Sequence, residues 1–165
     1  VLTLQSNPCF LVQADWPHGM NKDAFETLKK LVSEPDLSSL VKRFTHLSVS
    51  GNVQHKQDRL KLRAIYSIEN LPSIVVLENG LSMLETLDVR AVLKDISMPC
   101  CHIFSESDAL VPSAVVDDIK LLVPNHGIEV IKGAGHYTQG VYLAALISIL
   151  DSFVSSVVSG GRNEC

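Results

Sequence analysis

The spacing of hydrophobic and polar residues divides the chain into a helical block and a later block in which strands and helices alternate. Residues 1–5 are apolar and precede a Ser-Asn-Pro turn, so they predict a short strand. Residues 20–87 carry apolar side chains at helical spacing in four segments, interrupted near Pro35, at residues 50–52 and before Pro72. We predict four helices and no strand in this block.

The later block is typical of a parallel sheet with covering helices. Residues 99–104 and 127–133 are short apolar runs that predict two buried strands. Residues 112–123 predict a helix between these strands, and residues 139–158 predict a long C-terminal helix. Strands that alternate with helices favour the α/β fold class with a parallel sheet.

These patterns suggest a sheet-containing core with an inserted helical unit. We expect residues 1–19 to supply a strand and loop of the core, residues 20–87 to form a four-helix cap, and residues 88–158 to complete the core. The glycine-containing tail, residues 159–165, is expected to be frayed. With 165 residues, of which 46% are hydrophobic, the chain is long enough to bury a packed core.

Charge is distributed unevenly along the chain, whose net charge is -4. Residues 20–66 hold nine Lys and Arg residues against five acids, whereas the rest of the chain holds five against thirteen. This asymmetry indicates either an acidic partner or an ordinary solvated helical surface. No apolar run reaches the length of a bilayer span, so we expect no membrane segment, and no Gly-rich phosphate loop or other motif points to nucleic acid.

The cysteine and histidine spacings favour a cytoplasmic protein with reduced thiols. None of the four cysteines forms a C-x-x-C pair, and the histidines have no Cys, Asp or Glu at metal-ligand spacing. We therefore expect no disulfide framework, no metal site and no cofactor. His102 lies within a predicted strand and is expected to be a core residue. The cysteines are Cys9, Cys100, Cys101 and Cys165.

Two chemistry-bearing residues follow successive predicted strands. Asp108 stands four residues after the strand that ends at Phe104, and His136 follows the next strand in a glycine-containing loop. The carboxyl ends of parallel strands lie at one edge of the sheet, so the carboxylate could orient the imidazole of a general base. The alternatives are an Asp that caps its own turn and a His in a surface turn.

Several short motifs resemble those of known hydrolases. The segment "LDVRAVLKDISMPCCHIFSESDALVPSAVV" and the loop "KGAGH" resemble the C-terminal part of the α/β-hydrolase superfamily. More narrowly, "SNPCF", "DWP", "VKRF", "NGLSMLETLDVRAVL" and "SDALVP" resemble the pimeloyl-ACP methyl ester esterase family of biotin synthesis, over residues 1–155. The resemblance implies the C-terminal part of an α/β-hydrolase fold and carboxylic ester hydrolysis, with Asp108 as the triad acid and His136 as the general base.

The resemblance also implies binding residues in the helical block. A cap helix that lines the acyl pocket of the family matches five positions, whose alternative role is core packing for the two apolar ones. These are Phe44, Thr45, His46, Leu47 and Ser48. A basic cap surface that meets the acidic acyl carrier protein matches four further positions. These are Arg43, Lys56, Arg59 and Arg63.

The serine nucleophile of this chemistry is missing from the sequence. It normally stands in a G-x-S-x-G elbow upstream of the acid and histidine, and neither this elbow nor an HG-type oxyanion segment occurs in residues 1–165. We therefore expect a fragment that is inactive alone, with its nucleophile and oxyanion hole outside this chain and possibly in a separate N-terminal half. The alternatives are another α/β-hydrolase, such as a short-chain esterase or a C-C hydrolase, and a non-catalytic fragment that binds an acidic carrier protein.

Overall fold

The computed structural model describes residues 1–160 and contains a three-stranded parallel sheet. Its strands are β1 (Leu2–Leu4), β2 (Cys101–Ser105) and β3 (Gly127–Ile131), in the spatial order β1-β2-β3. Every residue of the central strand is buried, as expected for a parallel strand that is covered on both faces. The sequence predicted all three strands, and the α/β fold class is confirmed.

Four α-helices separate β1 from the later strands, as the apolar spacing predicted. In the first of them, Asn21 caps the N-terminus by accepting a hydrogen bond from the amide of Ala24, and Phe25, Leu28 and Val32 form its buried stripe. The third helix ends at Ile65 and is followed by a separate 3-10 turn. The helices are α1 (Lys22–Val32), α2 (Ser38–Val49), α3 (His55–Ile65) and α4 (Ile74–Thr86).

Three further helices accompany β2 and β3: α5 (Arg90–Lys94), α6 (Val115–Leu122) and α7 (Leu143–Gly160). α6 begins three residues later than predicted, and α7 begins four residues later, because the amide of Leu143 is hydrogen-bonded to the carbonyl of Gly140 in a turn. The prediction of a frayed tail from residue 159 was wrong for residues 159–160, which continue α7. Its remaining part, residues 161–165, lies outside the described residues.

The core lies on both faces of the sheet. Phe104 packs against Val115 and Ile119 of α6, whereas its neighbour Ile103 packs against Leu146 of α7. Consecutive strand residues point to opposite faces, so this alternation places α6 and α7 on opposite sides. Helices α1 and α2 form a third apolar cluster that includes Leu110, just beyond the carboxyl end of β2. None of the helices in residues 1–160 is long and apolar enough to cross a membrane.

His102 is a buried core residue, as predicted, and its ring joins two neighbouring segments. Its Nδ1 lies 2.7 Å from Thr3 Oγ1 on β1, and its Nε2 lies 2.9 Å from Nδ1 of His126, before β3. Burial, and secondarily His126, lowers the pKa of His102, so the neutral ring is favoured in the folded protein. Three cysteines of the described chain, Cys9, Cys100 and Cys101, are free.

Candidate active site

The loops that follow β2 and β3 bring Asp108 and His136 into contact. Nδ1 of His136 lies 2.8 Å from Oδ2 of Asp108. The other carboxylate oxygen of Asp108 accepts hydrogen bonds from the amides of Leu110 and Val111, at 2.8 and 2.9 Å. Asp108 is therefore both a turn cap and the partner of the histidine, so the two interpretations of this residue are compatible.

The surroundings of the two side chains differ in a way that suits acid–base chemistry. The Asp108 side chain is 1% exposed and the His136 side chain is 30% exposed. When Nδ1 donates its hydrogen to the buried carboxylate, Nε2 carries the lone pair and can accept a proton. The imidazolium that then forms lies beside a carboxylate whose remaining oxygen is fixed by two backbone amides.

His136 forms part of the wall of a cavity of about 580 Å³ between the sheet edge and the helical block. Most of the wall is apolar and comes from α1, α2 and α4, with Phe25, Phe44 and Leu77 among its residues. This volume lies within the range of about 300–1,000 Å³ that is usual for small-molecule sites. The arrangement can hold an apolar chain with one end at the imidazole.

Polar atoms in this wall are few. Asn7 and Gln5 line the cavity near the sheet edge. Asn7 Oδ1 accepts a hydrogen bond from Nε1 of Trp16, but its Nδ2 is buried without a hydrogen-bond partner among residues 1–160. Gln5 is buried, has a positive φ of 48° and donates to Ser105 Oγ at 2.7 Å. Neither Asn7 nor Gln5 was singled out from the sequence.

The structure separates the five residues of α2 that the resemblance assigned to substrate binding. Only Phe44 lines the cavity. The hydroxyls of Thr45 and Ser48 are turned back onto helix carbonyls, Leu47 packs among apolar residues of the helical block, and His46 is exposed. Successive helical residues are about 100° apart, so five in a row cannot face one cavity. Their binding role stays a prediction, which the cavity supports for Phe44.

The four predicted carrier-protein residues are exposed and lie on α2 and α3. Lys56 and Arg59 border a second hollow, of about 310 Å³, where α2 ends and α3 begins. His46 and His55 are also part of its wall, which makes this hollow a concentrated basic surface. The other two residues, Arg43 and Arg63, do not border it.

Sequence reasoning missed the turn between α2 and α3, which it treated only as an interruption of the helical pattern. In the structure Asn52 is 2% exposed and is hydrogen-bonded to the loop that carries His136. A Gly-Asn pair between two helices is the only local signal that could have drawn attention to it. Within residues 1–160, no three His, Cys, Asp or Glu side chains are grouped closely enough to hold a metal ion.

Comparison with curated proteins shows similarity to a single kind of esterase. The chain is 31% identical over 157 residues to the pimeloyl-[acyl-carrier protein] methyl ester esterase of Serratia marcescens, which covers 95% of this chain and 58% of the relative. Identity to the enzyme of the same name from Pectobacterium atrosepticum is also 31%, over 96% of this chain and 59% of the relative. The chain thus spans less than two thirds of the length of these relatives. No protein-family model matches it.

Solved structures share the fold at lower sequence identity. A bromoperoxidase from Bacillus anthracis superposes with a TM-score of 0.79 at 20% identity, over 93% of this chain and 57% of the other. A hydrolase from Oleispira antarctica superposes with a TM-score of 0.77 at 21% identity, over 93% and 55%. The chain therefore belongs to the α/β-hydrolase superfamily, and nearly its whole length is similar to the C-terminal part of pimeloyl-[acyl-carrier protein] methyl ester esterases.

Proposed function

We propose that this chain is the acid- and base-bearing part of a carboxylic ester hydrolase. Its substrate is a pimeloyl-ACP methyl ester, and its role is in biotin biosynthesis in the cytoplasm. The observation that carries the proposal is the hydrogen bond between His136 and Asp108 at the wall of an apolar cavity. The relatives in which this sequence pattern recurs are named for hydrolysis of that ester.

The proposed reaction is a Ser-His-Asp acyl transfer whose serine and oxyanion hole lie outside residues 1–165. His136 Nε2 takes the serine proton while the serine oxygen attacks the ester carbonyl carbon. The imidazolium returns that proton to the methoxide, so methanol leaves and an acyl-serine ester remains. Water, deprotonated by the same imidazole, then releases the carboxylic acid and restores the serine. Asp108 holds the ring in the required tautomer and stabilises its positive charge throughout.

The cavity and the basic surface suit the two halves of this substrate. Apolar residues of the wall, including Phe44, would contact the methylene chain of the acyl group. The exposed bases of α2 and α3 would attract the acidic carrier protein to the mouth of the site. In this proposal residues 20–87 act as the cap of the hydrolase core, and the carrier-protein contacts are Arg43, Lys56, Arg59 and Arg63.

A second candidate function is supported by the absence of a G-x-S-x-G elbow from the sequence. In that case the chain is a non-catalytic module that binds an acidic carrier protein through the same bases. Another α/β-hydrolase activity, on short-chain esters or C-C bonds, would retain the same Asp-His pair and differ in the acyl substrate.

Covalent labelling with a fluorophosphonate separates these possibilities, because the reagent reacts only with an activated serine. We expect the natural full-length polypeptide to be labelled and to hydrolyse pimeloyl-ACP methyl ester, and both properties to be lost in His136→Ala. The intact mass of the same sample, compared with 18.0 kDa for residues 1–165, shows whether further residues supply the serine. A full-length polypeptide that binds acyl carrier protein but is never labelled would refute the esterase proposal and support the binding module.

A further inference from the structure

A single buried side chain contacts the backbone on both sides of His136. The amide of Gly135 donates a 2.6 Å hydrogen bond to Oδ1 of Asn52, and Nδ2 of Asn52 donates a 2.8 Å bond to the carbonyl of Tyr137. The amide of Tyr137 in turn donates to the carbonyl of Ser48, at 2.7 Å. The peptide groups that flank His136 are thus held by residues of the helical block rather than by the sheet.

The segment that supplies these contacts, residues 48–52, is named the clamp turn below. It also touches the loop that precedes Asp108. Gly51 has a φ of +91°, and a Cβ at this position would overlap Ser107. A Cβ on Gly135 would likewise overlap the carbonyl of Ser50. Both glycines are required for close approach, so the clamp turn packs tightly against the loops of both members of the Asp-His pair.

A buried carboxylate determines the orientation of the Asn52 amide. Nδ2 of Asn52 also donates to Oδ2 of Asp58 at 3.1 Å, and Asp58 is 1% exposed. A flipped amide would turn its oxygen toward two acceptors, the Asp58 carboxylate and the Tyr137 carbonyl, and its NH₂ group toward the Gly135 amide. Only the observed orientation satisfies all three neighbours, so Asp58 supports the contact between Asn52 and the His136 loop.

We propose that Asn52 is a positioning residue for His136 and acts through the backbone of residues 135 and 137. This inference rests on the proposed role of His136 as general base. The imidazole itself has one side-chain hydrogen bond, to Asp108, and its loop contains Gly133 and Gly135, which leave the backbone free to turn. Asn52 removes that freedom and keeps Nε2 where the proton must be transferred.

This arrangement makes the helical block part of the catalytic apparatus as well as part of the cavity wall. The clamp turn joins the end of α2, which contributes Phe44 to the cavity, to the start of α3, which borders the basic hollow. A displacement of these helices would therefore move the backbone around His136. Misplacement by about 1 Å is enough to reduce a rate by about 10²-fold.

The test is Asn52→Ala in the natural full-length polypeptide, with Val53→Ala as the matched control. Val53 belongs to the next position of the same segment and is 79% exposed. We expect Asn52→Ala to lower kcat for ester hydrolysis by about 10- to 100-fold with KM changed less than about twofold, because the loss concerns proton transfer and not binding. The deshielded NMR signal of the His136 Nδ1 proton should broaden or disappear in Asn52→Ala and persist in Val53→Ala.

A second variant guards against simple loss of folding. Asn52→Asp combined with Asp58→Asn keeps the total charge, the acceptor for the Gly135 amide and a hydrogen bond between positions 52 and 58. It removes the donor to the Tyr137 carbonyl. We expect this double variant to unfold near the wild-type temperature yet to lose kcat and the Nδ1 signal as Asn52→Ala does. Wild-type kcat and an unchanged Nδ1 signal in either folded variant would overturn the proposal.

Amide hydrogen exchange in the unmodified polypeptide gives a further test that requires no variant. The amides of Gly135 and Tyr137 should exchange as slowly as those of β3 if the clamp turn holds them. Fast exchange at both amides would overturn the proposal. If the unmodified polypeptide hydrolyses no ester, the proposed function fails, but the exchange rates and the Nδ1 signal still decide whether Asn52 holds the His136 loop.

Discussion

The imidazole of His136 and the carboxylate of Asp108 are 2.8 Å apart although 28 residues of sequence separate them. They meet because β2 and β3 are adjacent and parallel, so the loops that follow the two strands leave the sheet at one edge. The contact is well supported, since the second oxygen of Asp108 is bound by two backbone amides. The pair can therefore hold one tautomer of His136 before any substrate arrives.

The first prediction concerns this tautomer. In the natural full-length polypeptide, Asp108→Asn should lower kcat for ester hydrolysis by about 10³- to 10⁴-fold, because an amide can donate a hydrogen to Nδ1 and favour the wrong tautomer. KM should change little. Steady-state kinetics would measure both values, with Asp117→Asn, at an exposed carboxylate of α6, as the control. Equal activity of the two variants would show that Asp108 only caps its turn.

The second prediction concerns the length of the apolar cavity. Gly80 of α4 lines this cavity, and a Cβ built there meets no atom within 4 Å. Gly80→Leu should fill part of the space and reduce kcat/KM for long acyl esters more than for short ones. It should also stabilise the fold by roughly 0.5–1 kcal/mol, because glycine is unfavourable inside a helix.

A series of methyl esters of increasing acyl length would measure the change in preference. Ser82→Leu provides the control, because Ser82 is exposed on the same helix and does not line the cavity. A uniform effect of Gly80→Leu on all acyl lengths would mean that the acyl chain does not occupy this part of the cavity.

The third prediction concerns the basic hollow. The double variant Lys56→Gln with Arg59→Gln should weaken binding of acyl carrier protein and reduce the dependence of that binding on salt, because exposed charges act through a screened field. Binding measured at two ionic strengths would give both quantities. Lys94→Gln with Lys120→Gln removes the same charge from exposed positions on other helices and serves as the control. Equal weakening in the two double variants would indicate a net-charge effect and no specific surface.

The fourth prediction concerns the pH dependence of stability. Burial lowers the pKa of His102, so the unfolded chain binds more protons than the folded chain once the pH falls below about 6.5. The contribution of His102 to stability is therefore complete above that pH and is lost as the pH falls through the folded-state pKa.

Denaturant unfolding at pH 7.5 and at pH 5 would measure this loss. We expect His102→Gln to show a smaller decrease in unfolding free energy between the two pH values than the wild type. His46→Gln, at an exposed position of α2, should retain the wild-type decrease. An undiminished pH dependence in His102→Gln would show that other groups cause the acid sensitivity.

The sequence was sufficient to predict the secondary structure and the position of the Asp-His pair. Both depend on local regularities: helical spacing of apolar residues, short buried strands, and polar residues directly after the strands. Asp108 and His136 could be paired because parallel strands have one common edge, which is a rule of topology and needs no coordinates. The ends of the helices were less accurate, as at α7, because packed turns outside the helix decide them.

Contacts between distant segments were decided only by the tertiary structure. Asn52 meets Gly135 across 83 residues, and no periodicity in either segment announces that contact. The same holds for the cavity, to which α2 contributes Phe44 but not its four following residues. Such contacts depend on how the helices pack on the sheet edge, whereas local patterns determine only which helices and strands form.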